Sequence, residues 1–332
     1  MIIKAGYQEK TPAKVNLYLN VLDKKFYPRD DGYHNIKTIF QAIELYDELN
    51  VEFEALVADS VNFNYEVSLK SNSKEVEEFG DENLVNRAIK LYFEHLNSKI
   101  TSQIRALTIN IDLKKKIPVE AGLGGGSANA GAMLRVLNKY FYENYNAAMS
   151  SDQLTELALQ LGSDVPFCLT STEEPRKYAE GRGEVFKDKK VIINYNDLYN
   201  MIIVKPDFGI ETAKAYEMLN RHSEKTRMKK ITGLVFNREP ALATIQNEEV
   251  IEEIHNNFED ALFPEYPQLS QIRDTLKSRL FAKNVLMSGS GSTMIAFYPK
   301  DIGNLTQLYR KAKEIFESKN YSVFMCKFLD PC

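Results

Sequence analysis

The chain has 332 residues, of which 44% are hydrophobic and 27% charged, and its formal net charge is −4 at pH 7. That length exceeds one typical core and predicts two domains, while the composition is that of an ordinary globular protein. The slightly acidic balance gives no electrostatic footprint for nucleic acid or an anionic membrane, and no apolar run reaches membrane-spanning length.

Three widely spaced cysteines, Cys168, Cys326 and Cys332, form no CxxC pair. They predict reduced thiols in a cytoplasmic protein, with neither a disulfide framework nor a zinc site. The four histidines, His34, His95, His222 and His255, have no paired spacing, so no imidazole-built metal centre is expected. Any metal is expected to arrive with a nucleotide.

The first residues, Met-Ile-Ile-Lys-Ala-Gly, read as a strand and lack the apolar core of a signal peptide. From Val15, the residues Val15, Leu17, Leu19 and Val21 alternate with Asn16, Tyr18 and Asn20, the pattern of a strand with one apolar face. Lys14 and Asn16 lie two apart and share the polar face; alone, Lys14 reads as a solvated surface charge. Residues 23 to 35 form a loop punctuated by Asp31-Gly32, and 36 to 51 return to extended character. Residues 59 to 82 are polar and read as an exposed excursion. A helix then starts at Asn83, a suitable cap, with Leu84, Ala88, Leu91 and Tyr92 on one stripe. A half-buried strand follows from Ile104, with Leu107, Ile109, Ile111 and Leu113 on one side.

Residues 117 to 131, Ile-Pro-Val-Glu-Ala-Gly-Leu-Gly-Gly-Gly-Ser-Ala-Asn-Ala-Gly, join that strand to a helix whose Ala132, Met133, Leu134, Val136 and Leu137 recur at helical spacing. Pro118, Gly122, Leu123, Gly124, Gly125, Gly126 and Ser127 form the candidate phosphate loop. Without Cβ atoms the glycines admit positive φ and close approach of backbone N–H groups. Ser127 falls at the expected N-cap, near the positive end of the helix dipole. A helix start of this kind binds anions. The dipole contributes only about 0.3 to 1 kcal/mol, so converging N–H groups must carry a polyphosphate. No lysine follows the glycines as in a P-loop, and the third glycine of a dinucleotide fingerprint is missing.

Ser151 can cap the next helix, with Leu154, Leu157, Ala158 and Leu161 inward and Gly162 as its stop. Asp164 then precedes Val165-Pro166-Phe167 and, alone, reads as a cap. The domain boundary is expected near residue 170, giving domains 1–170 and 171–332. Beyond it come a Gly181-Arg182-Gly183 turn, a strand over 201 to 205, and a helix over 212 to 220. Residues 221 to 246 read as an insertion or long loop. Helical patterns resume over 248 to 263 and 268 to 281. A second small-residue turn, including Gly289, Ser290 and Gly291, leads into a strand, and a helix and strand close the chain over 302 to 328.

Five segments, Pro12-Ala-Lys-Val-Asn-Leu, Asp31-Gly-Tyr-His with Thr38-Ile-Phe-Gln, the glycine loop, Leu161-Gly-Ser-Asp-Val-Pro-Phe and Met287-Ser-Gly-Ser-Gly-Ser, together resemble the GHMP family of small-molecule kinases. The resemblance runs from about residue 10 to 325 and is weakest in 52 to 82 and 221 to 246. It implies an α+β, two-domain fold with the active site in the interdomain cleft, and ATP with Mg²⁺ as cofactors. It also implies direct in-line transfer to an alcohol, with no phosphoenzyme. Lys14 and Asp164 match the family's catalytic lysine and aspartate: a carboxylate accepts the hydroxyl proton while the ammonium keeps it ionised. The Asp-Gly-Tyr-His loop, Asp-Val-Pro-Phe and Gly181-Arg-Gly-Glu resemble members whose small-molecule substrate carries a cytidine diphosphate. On that resemblance Asn16 binds the substrate's hydroxyls, Tyr33 and Tyr216 flank the base, and His34 bonds its edge. Helical spacing with Leu219 equally makes Tyr216 a core residue. Lys115 is either an ATP contact or a solvated charge. Many relatives carry a second serine where this chain has Ala128, so no protein ligand to the metal is named. A monomer or weak dimer is expected, and the competing readings are a kinase for homoserine, mevalonate or a sugar, or a non-catalytic sensor on the same fold.

Overall fold

The computed structural model describes residues 1–58, 63–187, 198–231, 243–245, 248–250 and 254–330. The chain divides into two compact units that interleave along the sequence. One comprises residues 1–13, 45–119 and 124–173, the other 14–44, 120–123 and 174–332. The strands Ile2–Val21 and Ile36–Val57, 20 and 22 residues long, each run from one unit into the other. They form one hairpin, with Val57 donating to Met1 at one end and Leu22 donating to Asn35 at the other.

In the first unit, the strand Ile36–Val57 pairs antiparallel with Ile104–Lys114, setting Leu49 opposite Leu113, Val51 opposite Ile111 and Phe53 opposite Ile109. A parallel partner, Asn64–Ser71, continues the sheet. The buried side of these strands forms one core with Ala88, Ile89 and Tyr92 of the helix Leu84–His95 and Met133, Leu137 and Tyr140 of the helix Gly125–Tyr145. Phe53 stacks on Tyr140 with ring centroids 4.1 Å apart. Each such fully buried apolar side chain contributes about 1.5 to 3 kcal/mol. Asn83 caps its helix as expected, accepting from Val85 N at 2.9 Å.

The second unit holds a separate antiparallel sheet in the order Asn284–Met287, Met294–Pro299, Tyr199–Lys205, Ser322–Cys326. Its core includes Leu269, Ile272 and Leu276 of the helix Pro267–Ser278 and Ala312 and Phe316 of the helix Leu305–Glu317. The early part of Ile36–Val57 here pairs with Arg176–Glu180, Thr38 opposite Ala179. The short strand His255–Asn256 runs parallel to Tyr18 and Leu19.

Several sequence expectations are corrected. The loop helix begins at Gly125 with Gly124 as N-cap, φ 68°, so Ser127 is the third helical residue. The next helix is capped by Ser150, not Ser151, in a reciprocal box with Gln153; Gly162 ends it as read. The stretch 59 to 82 contains the strand Asn64–Ser71 and a short helix, Lys74–Glu78. The helix read as 212 to 220 continues to Ile231, since a basic run of good helix formers need not be a loop. The remainder of the 221 to 246 insertion lies mostly outside the described residues, as does Cys332. Within 248 to 263, the described residues hold the strands Glu248–Val250 and His255–Asn256 and the helix Phe258–Leu262.

Candidate active site

The strand carrying Lys14 is buried on both faces from Thr11 to Leu19. The polar face expected there is therefore covered: Lys14 is 4% exposed and Asn16 2%. Burying a lysine is costly unless its charge is hydrogen-bonded, and Lys14 Nζ donates to Asn16 Oδ1 at 2.8 Å. Asn16 Nδ2 then donates to Thr38 Oγ1 at 2.8 Å, and Thr38 Oγ1 donates to the Tyr18 carbonyl at 2.7 Å. This relay fixes the Asn16 amide with its oxygen toward the ammonium. The Lys14 ammonium also lies 5.5 Å from the centroid of the Phe40 ring.

The front of the glycine loop is built onto the same unit. Lys14 N donates to the Leu123 carbonyl at 2.9 Å, Ser288 Oγ to the Gly122 carbonyl at 3.0 Å, and Thr293 N to the Ala121 carbonyl at 3.4 Å. Gly122 has φ 72°, and a Cβ there would fall 2.2 Å from the Ser288 carbonyl oxygen, so only glycine fits. The two small-residue turns read separately in the sequence thus form one structure. Asn256 secures the second turn, donating to both the Met287 and Gly289 carbonyls at 2.7 Å, and the Glu259 carboxylate accepts from Met287 N at 2.7 Å. Burial pushes Glu259 up to about 7.

In the first unit, the lead into the loop is held by Asp47. Its carboxylate is fully buried and accepts from Lys116 N at 2.8 Å, Ile117 N at 2.9 Å and the Lys115 ammonium. Lys115 is accordingly no solvated charge: its side chain is 7% exposed, and its nitrogen lies 3.0 Å from where a Cβ on Gly125 would stand. Asp164 stands at the residue preceding the helix Val165–Thr170, yet its side chain makes no capping bond there. The carboxylate is half-buried beside the fully buried Val165 and Phe167.

The side chains expected to hold the base have protein partners of their own. His34 is buried and stacks on Tyr216 with centroids 4.9 Å apart and planes at 21°, while Phe258 meets Tyr216 edge-on. His34 Nε2 bonds Asn220 Oδ1 at 2.7 Å, and burial holds the imidazole below its usual range. Tyr33 is 53% exposed, with the Arg182 guanidinium 4.5 Å over its ring. One face of each tyrosine is therefore already covered by the protein.

Sequence reading missed Asp47, Thr38 as the anchor of Asn16, Asn256 and Glu259. A polar residue interrupting an otherwise apolar strand face was the available signal for Asp47. Asn256 and Glu259 had none, because their partners are about thirty residues away on another element.

The sequence matches the profile of the GHMP kinases N terminal domain over residues 83–172 and of the GHMP kinases C terminal over 239–317. It is 33% identical to the 4-diphosphocytidyl-2-C-methyl-D-erythritol kinase of Thermoanaerobacter pseudethanolicus, covering 97% of this chain and 96% of that one. The enzyme of the same name from Fusobacterium nucleatum is 32% identical, with 98% of each chain covered. Among solved structures, a 4-(cytidine 5'-diphospho)-2C-methyl-D-erythritol kinase is similar at 26% identity and TM-score 0.62, covering 97% of this chain and 99% of that one. Methanococcus jannaschii mevalonate kinase, at 18% identity and TM-score 0.59 over 99% and 98% of the two chains, shares the fold.

Proposed function

The chain belongs to the GHMP kinase family, and from that premise we propose that it transfers phosphate from ATP to a hydroxyl of 4-(cytidine diphospho)-2-C-methyl-D-erythritol, in isoprenoid precursor biosynthesis by the non-mevalonate route. The observation that carries the mechanistic reading is the buried Lys14–Asn16–Thr38 relay, joined through Lys14 N to the Leu123 carbonyl of the glycine loop. A lysine ammonium kept this dry for structure alone would be a poor use of stability.

Asp164 accepts the proton of the attacking hydroxyl, a contribution of about 10² to 10⁴-fold for a positioned base. The Lys14 ammonium steadies the developing alkoxide. Asn16, its amide fixed by Thr38, orients the hydroxyl. The N–H groups of Gly124 to Ser127 at the helix start receive the phosphates. Tyr33 and Tyr216 take the cytosine, and neutral His34 meets its edge.

Among the described residues no three His, Cys, Asp or Glu side chains come together as a metal cage. Mg²⁺ delivered as its ATP complex would be held mainly by phosphate oxygens and water and would neutralise triphosphate charge. Among the described residues no helix is long and apolar enough to cross a membrane, and the proposal includes a cytoplasmic enzyme acting as a monomer or weak dimer.

The test is phosphate transfer from ATP with Mg²⁺ to the cytidyl substrate, run beside homoserine and mevalonate. Phosphorylation of the cytidyl substrate alone is expected, and Asp164→Asn should lower turnover at least about a hundredfold while ATP still binds. Reaction with homoserine or mevalonate instead overturns the substrate assignment. A near-normal rate for Asp164→Asn removes that residue from the mechanism.

A further inference from the structure

The helix Gly125–Tyr145 does more than present its N-terminus. On its second and third turns, Gly131 and Arg135 lie four apart and so share a face. Both meet the end of the helix Val165–Thr170, the short element that Asp164 precedes. A Cβ on Gly131 would stand 3.0 Å from both Cys168 C and Leu169 N, so the helix and this segment touch backbone to backbone. Arg135 then closes the contact: one terminal nitrogen donates to the Cys168 carbonyl at 3.0 Å and the Leu169 carbonyl at 2.9 Å. The other donates to Glu9 Oε2 at 3.1 Å, on the strand Ile2–Val21.

The chemistry of this clamp is specific. The carbonyls at the end of a helix have no intrahelical partner; a single guanidinium nitrogen reaches two of them here, and the Cys168 carbonyl also accepts from Ser171 Oγ at 3.3 Å. Glu9 neutralises the charge and orients the guanidinium. Packing adds rigidity, since Val165, Phe167 and Cys168 are all buried. The segment bearing Asp164 is thus fixed to the very helix whose first turn forms the phosphate loop, within one compact unit.

We infer that Arg135, with the close approach permitted by Gly131, is a positioning residue that sets where Asp164 stands relative to the phosphate loop. The inference rests on the reading of Asp164 as the proton acceptor. It assigns no contact with substrate to Arg135. Misplacing a reacting group by about 1 Å can cost about a hundredfold in rate, and a methyl on Gly131 requires its neighbours to give by a few tenths of an ångström.

The experiment is a kinetic double-mutant cycle on the full chain, with Arg135→Gln, Asp164→Asn and the pair, alongside Gly131→Ala and Arg135→Lys. For each variant kcat, the KM for the cytidyl substrate, the Kd for ATP and the urea midpoint are measured. Arg135→Gln is expected to lower kcat about ten- to a hundredfold, with ATP affinity within about twofold and partial rescue by lysine. In the Asp164→Asn background the same change should cost about twofold or less, because the group it positions is already disabled. Gly131→Ala should follow the same pattern more weakly. An equal fractional loss of kcat in both backgrounds, or a loss that tracks the urea midpoint and ATP affinity, overturns the inference and leaves Arg135 a structural residue. If Asp164→Asn alone retains near-normal kcat, the underlying mechanism falls first, and that result is visible without the Arg135 variants.

Discussion

Asp47→Ala isolates the contact that holds the lead into the phosphate loop. The substitution strands the Lys115 ammonium, whose side chain is 7% exposed, and removes the acceptor of two backbone N–H groups. Leaving one partner of a buried ion pair uncompensated costs about 3 to 5 kcal/mol. Lys116 is exposed, so water can reach its N–H, whereas Ile117 is buried and its N–H adds about 1 to 3 kcal/mol. A loss of about 4 kcal/mol or more is therefore expected, against a total stability of about 5 to 15 kcal/mol for ordinary domains. The assay is urea unfolding of wild type, Asp47→Ala, Lys115→Met and the double variant, compared at constant slope. The double variant should recover at least about 1 to 2 kcal/mol relative to the sum of the singles, since it no longer buries a lone charge. Additivity within about 0.5 kcal/mol would refute the reasoning and return Lys115 to the status of a solvated lysine.

Glu259→Gln should flatten part of the pH dependence of stability. Burial raises this carboxyl from 4.5 to about 7 in the fold; between those values the folded state holds a proton that the unfolded chain has released. Its stabilising contribution is complete below about 4.5 and lost as pH rises through 7, a change of about 3 kcal/mol that the amide should abolish; an unchanged profile would show that another group titrates. Tyr33→Ala removes a ring that is 53% exposed and lies under Arg182, so stability should hardly move while the KM for the cytidyl substrate rises about tenfold or more and that for ATP stays constant. Equal losses for both substrates would count against a base platform at Tyr33.

What was legible in the sequence is what local chemistry decides. Asn83 declares itself a cap by type and place, and Gly162 a stop. The glycine run locates the loop because few other settings tolerate positive φ at both 122 and 124. The Ser127 cap failed for a related reason: a glycine in left-handed conformation already turned the chain, so the helix started three residues earlier than the hydroxyl suggested. Lys14 alone read as solvated, and Lys115 as either an ATP contact or a solvated charge, because their fates depend on distant partners. Lys14 lies in a strand covered on both faces, and Asp47 is 68 residues from Lys115. Tyr216 packs on Phe258, as the core reading has it, and also stacks with His34.

The phosphate loop itself is not a local motif. An anion site needs N–H groups outward and carbonyl oxygens turned elsewhere, because a carbonyl dipole repels phosphate. Here the carbonyls of Ala121, Gly122 and Leu123 are each engaged, by Thr293 N, Ser288 Oγ and Lys14 N. Two of those donors come from the second small-residue turn, more than 160 residues along the chain, and that turn is in turn held by Asn256 and Glu259. The third donor is the backbone of the lysine assigned to catalysis. Two of these three contacts run main chain to main chain, so side-chain substitution leaves them intact. That is a physical reason for two turns far apart in the chain to be rich in small residues: a Cβ on Gly122 would fall 2.2 Å from the Ser288 carbonyl oxygen, so a side chain there would take space that the other turn's backbone occupies.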